Sequence, residues 1–390
     1  MVVIKNLRHM ILFFVFFFHQ AYVYAKGSVK FLLNLYHQEG DGGFQIYGDP
    51  EKEEVTVVEP MLFIDHEVSE TTSINAHFVF DGWTAASDTE LDGNTGASNE
   101  EAREWQSRVA GNIGITQDFT SWKWSSRLGI SNEYDYKSIN VGGSLEGHFA
   151  QDNFVLGITP QLFLDKAKDY DIQNNRETEY KDRTIWSVGL NASQLLSPSD
   201  ILQVGFTYIN MDGDLNNITN SVKVLSNPYG NTFSRMEERV PGTRKRKAYS
   251  AKWVHGFSDE SAMHLGYRFY DDDWNISSHT GELGWRLSFD EDDTFLMVGY
   301  RYYTQDSPDF WAEQFAIPQT FMTSDSDMGD FDSHRLSVHY SHLVGDKKFS
   351  FKDWLALDFT DVEVSLGGSI YHRSNDLDAM ILQAGISTFY

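Results

Sequence analysis

Two short segments, LGYRFY (Leu265 to Tyr270) and VGYRYY (Val298 to Tyr303), match in register, and each sets one arginine among aromatic neighbours. In an extended chain successive side chains point to opposite faces. Leu265, Tyr267 and Phe269 therefore share one face and Arg268 the other, and Val298, Tyr300 and Tyr302 oppose Arg301 in the same way. The segment between them adds Glu282 and Arg286 opposite Leu283, Trp285 and Leu287; the one after adds Arg335 and His339 opposite Leu336, Val338 and Tyr340. With His264 nearby, the result is a charged ladder of Arg268, Glu282, Arg286, Arg301 and Arg335 flanked by two histidines. Guanidinium groups at fixed spacing bind carboxylate or phosphate bidentately, so one reading is a lumen-lining path for small solutes or ions. The other reading is structural, with charges paired across strands to keep an interior solvated and rigid.

Other polar constellations offer less chemistry. DDDWNISSHT (Asp271 to Thr280) sets three carboxylates near His279, and hard divalent cations want several oxygens, but the spacing matches no EF-hand loop. It reads as a constrained turn, with Trp274 in an aromatic girdle. SDSDMGDFD (Ser324 to Asp332) has a similar carboxylate density and the same weakness. No metal ligand set and no cofactor is expected. A Gly-x-Ser-x-Gly elbow, an HExxH helix and a phosphate loop are all missing, so no catalytic residues are expected either. Residues far apart in sequence could still converge, which keeps an enzyme as an alternative.

The elements that must position these residues are strands. The closing segment has Met380, Leu382, Ala384 and Ile386 on one phase, mostly small or polar residues on the other, and a terminal aromatic, Tyr390. Strands in a transmembrane barrel put apolar side chains toward lipid at every second position and aromatic rings where hydrocarbon meets water. At the other end, Lys5 and Arg8 precede an apolar run from Met10 to Phe18 and then Val23-Tyr24-Ala25, the pattern of a cleaved secretory signal over residues 1–25. No later stretch approaches the roughly 20 apolar residues of a membrane-spanning helix. The 390 residues include no cysteine, so neither a lipid-modified N-terminus nor a disulfide is available. Aromatics at 15% with a mean hydropathy of -0.41 suit a barrel whose strands are half wet, and a formal charge of -26 argues against nucleic acid as a partner.

Short polar turns near 69–71, 120–121, 151–152, 197–200, 258–260 and 291–293 alternate with long Gly/Asp/Asn-rich segments around 39–53, 86–102, 169–182, 212–243 and 307–330. The alternation predicts an all-β, antiparallel transmembrane barrel of about sixteen strands over 26–390, with short periplasmic turns, long extracellular loops and both ends periplasmic. Segment 345–358 breaks the pattern and admits a short amphipathic helix with Phe351, Trp354 and Leu355 on one side. TRKRK (Thr243 to Lys247) puts Lys245 and Lys247 in phase with Tyr249 and Trp253, and Arg244 and Arg246 on the other face. Outward lysines at the rim suit lipopolysaccharide phosphates.

DDWNISSHT (Asp272 to Thr280), RYYTQ (Arg301 to Gln305), SDMGDF (Ser326 to Phe331), VTVVEP (Val55 to Pro60), NEYDY (Asn132 to Tyr136) and ERVPGTRKR (Glu238 to Arg246) together resemble the domain of unknown function 3570 family of Gram-negative proteins. The resemblance covers most of the chain. It implies an outer-membrane barrel, put in place by the barrel assembly machinery, and supplies no catalytic residue. Three classes follow: a pore, transport or envelope-assembly component; an outer-membrane enzyme; and a structural partner of an envelope redox complex, the last suggested by the flavin-transferase and thioredoxin-like proteins encoded beside family members. The first is the expected one.

Overall fold

The computed structural model describes residues 26–40, 53–86, 106–171, 176–217, 220–226, 232–289, 293–351 and 355–390, none of them helical. Sixteen strands close into one antiparallel ring. They are β1 (Gly27–Gly40), β2 (Glu53–Ser69), β3 (Thr72–Ala86), β4 (Gln106–Phe119), β5 (Trp122–Asn132), β6 (Tyr136–Phe149), β7 (Phe154–Asp171), β8 (Arg176–Ser197), β9 (Asp200–Gly213), β12 (Thr243–Ser258), β13 (Ser261–Asp272), β14 (Ser277–Phe289), β15 (Thr294–Gln305), β16 (Phe331–Phe351), β17 (Leu355–Arg373) and β18 (Leu377–Phe389). Two short strands, β10 (Ser221–Leu225) and β11 (Phe233–Glu237), form a separate hairpin between β9 and β12. Ring order otherwise follows chain order, and β18 closes on β1.

The pattern that builds the ring is the two-residue alternation. Ile113, Leu128, Ile130, Ile139, Leu265, Leu283, Leu336 and Leu366 lie on one face and are exposed. Water would not tolerate so continuous an apolar exterior, whereas hydrocarbon favours it. Closure is in register over the whole seam, from Ser28 opposite Phe389 to Gly40 opposite Leu377. Gly27 and Tyr390 exchange backbone hydrogen bonds at 3.1 and 3.0 Å, and the Tyr390 ring lies so close that a Cβ on Gly27 would collide with it. The Tyr390 hydroxyl reaches His66 Nδ1 at 3.2 Å.

Four expectations are corrected. Segment 345–358 is strand rather than helix: Lys347 pairs with Phe359 and Phe351 with Leu355, extending the β16–β17 hairpin. KFSF and LALDF also alternate with period two, and pairing supplies backbone partners that an isolated helix of one or two turns would lack; Trp354 lies outside the described residues. Most of 169–182 is likewise strand, with Tyr170 opposite Glu177 and Asp171 opposite Arg176. Lys181 bridges Asp169 and Asp214 at 2.7 and 2.9 Å, and the Lys137 ammonium stands 4.7 Å from the Tyr180 ring centroid. The described residues of 212–243 and 307–330, expected only as long loops, are folded together, as set out below. Trp274 belongs to their core and not to an aromatic girdle. Residues 1–25, 41–52 and 87–105, with the expected export signal and most of two loops, lie outside the described residues.

Candidate functional site

β12, β13, β14 and β15 set their charges by register. Ser250 pairs with Arg268, Arg268 with Thr280, Lys252 with Gly266, Gly266 with Glu282, and Glu282 with Arg301. Paired residues share a face. These line a cavity of about 420 Å³ together with Asn191 and Ser193 of β8 and Gln203 of β9. Gly266 keeps it open, since a Cβ there would sit 3.3 Å from Glu282 Oε2. Arg301 Nε lies 3.6 Å from Glu282 Oε1, and the guanidinium of Arg301 is 5.2 Å from the Tyr303 ring centroid. Arg268 stands 5.8 Å from the Tyr270 ring centroid. Neither Lys252 nor Arg268 has a carboxylate partner among the described residues.

The rest of the ladder continues on the same face without entering the cavity. Arg335 pairs in register with Arg301, and its Nε is buried with no hydrogen-bond partner. Arg286 stacks 4.7 Å from the centroid of Phe295, which also meets the His339 ring at 5.6 Å. His264 lies close enough to Lys252 and Arg286 to feel both charges. Sequence reading missed Lys252, which shares the phase of Arg244 and Arg246 but stands alone five residues beyond the TRKRK run.

A second polar row lies on β18, β1, β2, β3 and β4. Gln383 Nε2 donates to Asn34 Oδ1 at 2.7 Å, and Asn34 Nδ2 donates to Glu59 Oε1 at 2.7 Å. Glu59 is within hydrogen-bonding reach of the buried Asp81, which accepts from Arg108 Nε. Sequence reading missed this row because TVVEPMLFI is apolar on both phases near Glu59, so alternation does not mark its face.

Lys245 and Lys247 are exposed on the face of Tyr249. Lys247 Nζ is 3.6 Å from Asp271, and Asp273 accepts the Lys245 backbone N–H at 2.8 Å. Arg244 is on the other face and ion-pairs with the fully buried Asp272 side chain at 2.6 Å. Asp272 also accepts from the Tyr270 hydroxyl at 2.6 Å and from the backbone N–H of Trp274 and Ile276, both at 3.0 Å. The three carboxylates of DDDW thus serve one ion pair each with Arg244 and Lys247 and one backbone bond.

Above this network the β9–β12 and β15–β16 connections fold into one unit. Arg239 and Met322 exchange backbone hydrogen bonds at 3.0 and 2.7 Å, and Val224 bridges Phe315. Val222, Val224, Phe315 and Met322 form one apolar cluster; Leu215, Val240 and Trp274 form another. Trp274 Nε1 donates to Thr243 O at 2.9 Å, and the Arg244 guanidinium lies 4.3 Å from the Trp274 ring centroid. Glu238 is buried, accepts the Thr323 hydroxyl at 2.6 Å and the Asn217 N–H at 2.8 Å, and is pushed up to about 7 by burial. Burial, with the Asp327 charge, also raises Asp325, which accepts from Asn220 Nδ2 at 2.9 Å. On the far side Arg373 of β17 donates to Asp327 at 2.6 Å and to Ser326 O at 2.8 Å, so the unit is tied to the ring from β9 to β17.

Four of the six segments that carry the family resemblance meet in this unit, through Glu238 to Val240, Arg244, Asp272 to Ile276, Gln305 and Ser326 to Gly329. Gln305 Nε2, for instance, donates to Asp327 O and Gly329 O at 3.0 and 2.7 Å. Among solved structures the chain is similar to OccK1 (OpdK) of Pseudomonas aeruginosa, at 9% identity over 94% of this chain and 99% of that one, with a TM-score of 0.45. It is similar to OccK2 (OpdF) of the same organism, solved with glucuronate, at 10% identity over 94% and 98% with a TM-score of 0.44. It also resembles a bacterial polysaccharide outer membrane secretin, at 8% identity over 94% and 98% with a TM-score of 0.48. A search of curated protein sequences finds no match. The family model described as protein of unknown function (DUF3570) matches residues 23–352, and the chain belongs to that family.

Proposed function

We propose that this protein is an outer-membrane pore through which small hydrophilic solutes or ions pass, exported by its N-terminal segment and inserted by the barrel assembly machinery. The observation that carries the reading is the pairing of an apolar exterior with a hydrated, charged opposite face on one closed ring of sixteen strands. A ring of that size encloses an aqueous lumen unless something fills it. In this reading Arg268, Glu282, Arg286, Arg301, Arg335, His264 and His339 line the lumen, and the folded loop unit narrows its outer mouth. Lys245 and Lys247 sit at the outer rim, where Lys245 has the freer ammonium for a lipopolysaccharide phosphate, Lys247 being shared with Asp271.

Swelling of liposomes that contain the folded protein tests the pore. Iso-osmotic solutes below a few hundred daltons should enter and make the vesicles swell, while large dextrans should not. Vesicles that respond to both classes like protein-free ones would overturn the reading.

A further inference from the structure

We infer that the cavity lined by β8, β9, β12, β13, β14 and β15 is a binding site for small polyhydroxylated monocarboxylates of the sugar-acid type. The inference deepens the pore reading and rests on it for its physiological sense. It begins from charge: the chain carries a formal -26, yet the charged side chains lining the cavity are three cations, Lys252, Arg268 and Arg301, and one anion, Glu282. Arg301 is held by Glu282 at 3.6 Å. Lys252 and Arg268, one alternation apart on adjacent strands, are left to face an incoming anion. A single carboxylate suits that pair, because a doubly charged group would also have to approach the Glu282 carboxylate.

The adjoining β8–β9 part of the same wall is of another chemistry. Asn191, Ser193 and Gln203, with Ser250 paired to Arg268 on the next strand, offer amide and hydroxyl groups and no charge. Such groups donate to and accept from hydroxyls in either direction, as a polyol chain requires. A cationic stretch of the wall lying beside an uncharged hydrogen-bonding stretch, around a cavity of about 420 Å³, therefore reads a carboxylate at one end of a ligand and hydroxyls along the rest.

Saturation-transfer NMR on the folded full-length barrel in detergent micelles tests this with gluconate as the probe. Gluconate should give a saturable signal; sorbitol, which lacks the carboxylate, propionate, which lacks the hydroxyls, and inorganic phosphate should each give much less. The Lys252→Gln/Arg268→Gln variant should bind at least about tenfold more weakly, the effect of losing about one charge-assisted contact or more. Glu282→Gln should move the other way, tightening binding severalfold by releasing Arg301, so that a mere folding defect cannot imitate both results. Equal signals from gluconate and sorbitol, or from parent and double variant, would overturn the site. Propionate or phosphate binding as well as gluconate would overturn the sugar-acid assignment. Failure of the pore reading looks different: a barrel that binds gluconate while liposomes stay impermeable keeps the site and loses the pore.

Discussion

Raising the pH should loosen the folded loop unit, and Glu238 sets the size of the effect. Its carboxyl is pushed from an ordinary 4.5 to about 7 by burial in the closed unit. An acid whose value is raised in the closed state binds its proton more tightly there, so its stabilising contribution is complete below about 4.5 and is lost as pH rises through about 7. If the opened loop returns Glu238 to its ordinary value, linkage between about pH 5 and about pH 8 favours opening by roughly 2.5 kcal/mol, or about 70-fold in the open population. Asp325, raised in the same direction, adds to this. Cleavage after Arg239 by a trypsin-like protease reads the opening, because the two Arg239–Met322 backbone bonds must break first. The protease's own pH dependence cancels in the ratio of parent to Glu238→Gln, where the amide can donate to Thr323 without a charge to bury. That ratio should rise by at least tenfold over the interval. Rates that change in parallel for parent and variant would refute the assignment of the effect to Glu238.

Replacing Arg244 with methionine leaves the Asp272 carboxylate buried against three remaining donors, which places the cost near the lower end for a broken buried pair, about 3 kcal/mol in urea unfolding. Adding Asp272→Asn should recover part of it; a single-variant cost below about 0.5 kcal/mol would mean the pair is solvated. Deleting Phe389 and Tyr390 removes both Gly27–Tyr390 backbone bonds and the contact with His66, and should slow barrel assembly in cells as read by heat-modifiable gel migration. Unchanged assembly would deny the terminal aromatic a role in closure. The cysteine-free chain permits a direct test of sidedness: Ile317→Cys, exposed in the loop unit, should react with an impermeant maleimide on intact cells, and Ser199→Cys only after lysis. The reverse pattern would invert the topology.

The ring was legible because lipid-facing strands repeat every second residue. Leu265-x-Tyr267, Leu283-x-Trp285 and Leu336-x-Val338 each declare their phase without any tertiary knowledge, and the arginines between them follow. Phase fails where both faces are apolar, which is why Glu59 and Asp81 went unseen. It fails again at 345–358, where the same aromatic spacing serves a short helix or a hairpin and only cross-strand pairing decides. The loop unit was hidden for a different reason. Leu215, Val222, Trp274, Phe315 and Met322 lie far apart in segments rich in Gly, Asp and Asn, so no period connects them; only the fold of the ring brings their strand ends together. Trp274 illustrates the cost, since an exposed girdle and a loop core both accept a tryptophan after three aspartates.

Single-channel recording in planar bilayers tests the central claim most directly. The folded parent should give discrete, stepwise conductance, and in a salt gradient the Arg268→Ala/Arg301→Ala variant should shift the reversal potential toward cations, because two fixed positive charges leave the wall that holds Glu282. A barrel shown to be folded that passes no current would contradict the pore, and a conducting pair of proteins with the same reversal potential would contradict the placement of these arginines along the path.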